Sequence, residues 1–146
     1  AMLPASPRRL TAGYILANAL LDLAQVAIPL SVFLLVHPPS PAGVIYVAVS
    51  FASAVVAANA LGVLVAVVPG SSGEGHLYAV VTVMAAIALS GLIAPAPYTQ
   101  GLLPFWYLYA ALLAAPGAFV LAPVLAILLL GSVLIASPGL FRAAVR

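Results

Sequence analysis

The chain has 146 residues, of which 66% are hydrophobic and 4% charged, against roughly 45–50% and 25% in an ordinary soluble domain. A soluble fold cannot hide so much apolar surface, so lipid is the solvent and the expected fold class is all-α and integral to the membrane. The absence of cysteine excludes disulfides, thiolate metal sites, iron–sulfur clusters and cysteine nucleophiles. The net charge of +2 comes from arginines at the two ends, where it reads as a topology signal and not as a nucleic-acid footprint.

Ser6-Pro7-Arg8-Arg9-Leu10-Thr11 resembles the start of a twin-arginine signal. The apolar run behind it is far longer than the roughly 7–15 residues of a signal core, and it carries Asn18, Asp22 and Gln25. It is therefore read as a retained first helix, from about Leu10 to Val36, ended by His37-Pro38-Pro39-Ser40-Pro41, where proline forbids continuation. A second helix is expected from Gly43 to Val68, closed by Pro69-Gly70, and a third from Leu77 to Ala94, closed by Pro95-Ala96-Pro97.

The last stretch, Phe105 to Ala136, would reach about 48 Å as one straight helix, against a hydrocarbon core of about 30 Å. Pro116-Gly117 offers a break inside it. One reading makes Phe105–Ala115 an interfacial or tilted helix and Gly117–Ala136 the crossing; the other is one helix kinked at Pro116 and Pro123. The whole chain, 1–146, thus reads as one transmembrane domain: a four-helix bundle with a possible extra interfacial helix before the last crossing. Four crossings keep Arg8 and Arg9 on the same side as Arg142 and Arg146, so both termini are cytoplasmic by the positive-inside rule. The expected location is the cell membrane of a prokaryote. Tyr46, Tyr98, Phe105, Trp106, Tyr107 and Tyr109 would then gather at the outer interface.

The strongest local signal lies in the first helix. Thr11, Tyr14, Asn18, Asp22 and Gln25 recur every three or four residues and so share one stripe, on which Pro29 also falls. An ionised carboxylate at the depth of Asp22 costs several kcal/mol unless paired or hydrated, and no basic residue lies at matching depth in the sequence. Asn59 in the second helix falls in the cytoplasmic half of the membrane, as Asn18 does in the first, and is the expected intrachain partner of Asp22. Asn18, Asp22, Gln25 and Asn59 form a candidate intramembrane polar cluster, able to relay protons, coordinate a small cation or hold a headgroup. The plainer alternative is that these side chains hydrogen-bond helices together, as membrane bundles do routinely.

Small residues four apart let helix backbones approach closely in lipid. Ala54, Ala58 and Gly62 mark such a face on the second helix; Ala86, Ser90 and Ala94 mark one on the third; Ala118, Ala122 and Ala126 mark one on the last. His37 and His76 fall on opposite membrane faces, so they cannot ligate one haem, and both read as solvated loop histidines. Gly70–Gly75 lacks the lysine and the strand–helix context of a phosphate loop. No cofactor, no metal site and no complete catalytic set is expected. The expected partners are membrane lipid and other membrane subunits or copies of the chain itself, with no nucleic acid.

Three functions follow from this inventory. The first is an accessory or structural subunit of a larger membrane assembly, such as a respiratory or secretory complex or a self-assembling coat. The second is a small oligomeric transporter or channel using Asp22 as its coupling group. The third, a lipid-modifying enzyme, lacks a nucleophile–base pair.

Overall fold

The computed structural model describes residues 6–67, 72–91, 93–94, 98–112 and 121–144. It is all-helical: α1 (Pro7–Val36), α2 (Pro41–Val67), α3 (Ser72–Leu89), a single 3-10 turn (Gln100–Leu102), α4 (Pro104–Leu112) and α5 (Leu121–Ala144). Among the described residues, three helices are long and apolar enough to cross a membrane: α1, α2 and α5. The apolar stretch of α3, Gly73–Leu89, is shorter than these.

Local chemistry accounts for the helix ends. The Ser6 hydroxyl accepts a hydrogen bond from the Arg9 amide and Pro7 occupies the first turn of α1, where its missing N–H costs nothing. The turn from α1 to α2 is short because Ser40 caps α2, accepting from the Gly43 amide at 3.1 Å, while Pro41 starts the helix. Pro41, expected to be a breaker, therefore lies inside α2. Gly43 is required there, since a Cβ would come within 2.9 Å of the Pro39 ring.

α3 differs from the expected 77–94 at both ends. It begins at Ser72 and carries Glu74 in its first turn, which suits the positive end of the helix dipole. It ends at Leu89 because Gly91 adopts a left-handed φ of 70°, as glycine does past a helix C-terminus. His76, expected in a loop, is consequently an exposed residue of α3.

The break expected near Pro116 lies outside the described residues, between α4 and α5. The described α4 has nine residues, about 14 Å of helix. α5 runs beyond the expected Ala136 and through Pro138. Proline there leaves the Leu134 carbonyl without its backbone donor, and the Ser137 hydroxyl donates to that same carbonyl at 2.9 Å. Such a substitution is how membrane helices tolerate internal proline.

α2 is the hub, packed against α1, α3, α4 and α5, and α1 also meets α5. Ile15 of α1, Ala60 and Val63 of α2, and Val133 of α5 form the core, with Leu64, Leu129 and Leu130 against it. Small side chains let the hub be surrounded: Ser50, Ala57 and Ala60 of α2 and Ala122 of α5 are fully buried. The outward surfaces of α1, α3 and α5 carry Leu16, Ile28, Leu35, Val80 and Ile135 exposed, as suits contact with lipid tails.

Candidate functional site

The inward face of α1 is set by Thr11, Ile15 and Ala19, all buried. At about 100° per residue Thr11 belongs to the polar stripe while Ile15 and Ala19 lie beside it, so the inward face overlaps one edge of the stripe. Asp22 sits on the border between the two, at the middle of the 30-residue helix, and is half-buried.

Asn59 reaches it from α2. Its amide nitrogen donates to Asp22 Oδ2 at 2.7 Å and to the Val55 carbonyl, one turn back on α2, at 3.0 Å. Both hydrogens of the amide are thereby used. The short α1–α2 turn makes the two helices antiparallel neighbours, which brings the mid-helix of α1 level with the second half of α2. The same register places Ile15 near Val63 in the core.

The other members of the stripe do not join the pair. Asn18 turns its amide back to the Tyr14 carbonyl of its own helix at 2.9 Å. Gln25 is exposed, and Tyr14 is 56% exposed. The arrangement is a polar seam along one outer edge of the α1–α2 contact, with Asn18 one turn before Asp22 and Gln25 one turn after it.

The small-residue faces divide in a similar way. Ala54 is buried, whereas Ala58 and Gly62 are exposed and line a groove of about 510 Å³ between α2, α3 and α4. Phe105 and Tyr109 of α4 and Ala79 and Ala86 of α3 form its other walls. Just past the end of α3, Ser90 is buried and Ala94 is exposed. On α5, Ala122 and Ala126 are buried, and Ala118 lies outside the described residues. A second cavity, of about 560 Å³, lies at the α1–α2 turn and is lined by Phe33, His37, Pro38, Val47 and Ala111 among others. Neither cavity is lined by Asp22, Asn59, Asn18 or Gln25.

Two hydroxyls are buried without an expected role: Thr11 belongs to the polar stripe, and Ser50 to none of the expected polar or small-residue faces. Ser50 is 0% exposed and Thr11 2% exposed, and their side-chain oxygens have no hydrogen-bond partner among the described residues. Serine spacing in α2, Ser50 then Ser53 ahead of Ala57 and Ala60, was the available signal of which face turns inward. Among the described residues no three His, Asp or Glu side chains converge as a metal ion would need.

Comparison with known proteins returns no match to a family model, to a curated protein or to a solved structure.

Proposed function

We propose that the chain is a small polytopic membrane subunit with a structural or accessory role in a larger membrane assembly, docking through the polar seam of α1. The observation that carries this reading is the place of the seam. Asp22 of α1 and Asn59 of α2 are only half-buried and Gln25 is exposed, beside an α1 surface that is otherwise apolar apart from the arginines at its start and Ser31, whose hydroxyl bonds its own helix. Polar groups facing lipid tails are costly. A neighbouring membrane helix laid along the seam would cover them and supply hydrogen-bonding groups.

The topology belongs to the same proposal. If α3, about 27 Å long, crosses with α1, α2 and α5, the chain spans four times and keeps all four arginines on the cytoplasmic side. The sequence contains no cysteine, so single cysteines placed at Ser6, Ser40, Gly73 and Thr99 can be labelled one at a time from each side. Ser6 and Gly73 should react from inside, and Ser40 and Thr99 from outside.

The test of function is native mass spectrometry of the chain drawn gently from its own membrane. A different membrane protein at fixed stoichiometry supports the reading, provided seam substitutions displace it. Flux through the purified chain alone, abolished by Asp22→Asn, would replace it with the small-transporter reading.

A further inference from the structure

We infer that the helix covering the seam presents a cationic side chain, lysine or arginine, to Asp22. This deepens the assembly reading and rests on it. The argument starts from the hydrogen-bonding capacity of the carboxylate. A carboxylate offers about four lone-pair sites over its two oxygens, and among the described residues Asn59 fills one of them, on Oδ2. Asp22 remains half-exposed at mid-helix, so its other oxygen is open toward whatever lies along the seam.

No arginine or histidine among the described residues bonds it, and His76 lies on α3, which packs against α2. From Leu10 to Phe141 there is no lysine or arginine. His37 caps the far end of α1, about 22 Å away along the helix. A second copy would bring the same charges at the same depths, so it cannot supply the missing cation. Charge complementarity therefore points to a different membrane chain.

The neighbours of Asp22 suit the same ligand. The Asn18 amide has spent a hydrogen on the Tyr14 carbonyl, and its own carbonyl oxygen is an acceptor. Gln25, exposed on the other side, offers a second amide oxygen. A guanidinium or ammonium group has donors only. The Asn18 and Gln25 amide oxygens, one turn to either side of Asp22, are acceptors that such donors can use.

The test uses the full chain in phosphatidylcholine vesicles with synthetic transmembrane peptides of about 22 residues. One is an all-leucine–alanine parent and the other carries a single central arginine. Energy transfer from a fluorophore on a cysteine introduced at Ser6 reads association. The arginine peptide should bind about tenfold more tightly than its parent, and Asp22→Asn should erase the difference. That variant keeps an oxygen for Asn59 to bond, and its folding is read separately from Trp106 fluorescence. Equal binding of the two peptides, or an arginine preference that survives Asp22→Asn, overturns the inference. A native partner retained by Asp22→Asn overturns it while leaving the assembly reading in place. A chain found without any partner in its own membrane removes both.

Discussion

Replacing Asn59 by leucine isolates the one hydrogen bond that joins α1 to α2 through side chains at the seam. Asn59 donates to Asp22 at 2.7 Å and to the Val55 carbonyl at 3.0 Å. The second bond is local to α2, and the Val55 carbonyl already serves the helical ladder, so its loss costs little. The first crosses between helices and its loss leaves a half-buried carboxylate with no donor. Interhelical hydrogen bonds in membrane bundles average about 0.6 kcal/mol and reach about 1.7, while bonds to a charged group are worth roughly 1.5–3 kcal/mol in soluble proteins. A coupling of about 1–2 kcal/mol is expected from the cycle of Asn59→Leu, Asp22→Leu and the double variant. The assay is reversible unfolding in mixed micelles, followed by the fluorescence of Trp106, the sole tryptophan, on a helix that packs against α2. A coupling within about 0.5 kcal/mol of zero, the usual error of additivity, would show that the pair does not hold α1 in place.

Two further substitutions probe the hub, and a third the bond that ties α4 to the turn before it. Ala60→Leu forces three extra carbons into a fully buried site beside Ile15, Val63 and Val133. It should cost about 1–3 kcal/mol, read as a lower melting temperature. Gly62→Leu, two residues along the same helix, points into the groove, where an added Cβ meets nothing within 4 Å. Relief of glycine's entropic cost is worth about 0.5–1 kcal/mol, so its melting temperature should hold or rise, and a fall as large as that of Ala60→Leu would contradict the assignment of faces. Tyr107→Phe removes the hydroxyl that donates to the Gly101 carbonyl at 3.0 Å. At about 1 kcal/mol this should speed amide exchange near Gly101–Leu103 about fivefold, with the exchange of α5 unchanged.

The existence of the helices was legible because lipid allows few alternatives: every backbone polar group must be satisfied within the segment, so a long apolar run becomes a helix. Their ends were less legible where one residue type serves two purposes. Proline stops a helix interior but starts a helix well, and Pro41 does the second. Glycine and serine before α3 read as a turn, yet Ser72-Gly73-Glu74 is its first turn. Pro138 read as lying past the end of the last helix. The hydroxyl beside it takes over the carbonyl that proline abandons, so α5 continues.

Orientation about each helix axis was the hardest thing to read, and the reason is physical. In water the apolar stripe of a helix marks its inner face. In lipid the tails are as apolar as the core, so that contrast is lost. α2 shows the consequence: Ala57 and Ala60 are fully buried, while Ala58 and Gly62 are exposed, although all four are small and apolar. What remains as a compass is polarity, and it points in two ways. Hydroxyls that can bond their own helix, such as Ser53 to Val49 and Ser90 to Ala86, carry their partner with them and can be buried anywhere. A carboxylate has no hydrogen to give its own helix, and an amide that spends one there, as Asn18 and Asn59 do, keeps a second hydrogen and an oxygen. Asp22 draws Asn59 from the next helix, and the exposed Gln25 is left facing outward. On the proposed reading, a side chain of that kind on the lipid-facing edge of a bundle is where a partner helix would dock, which favours the seam of α1 over either apolar cavity.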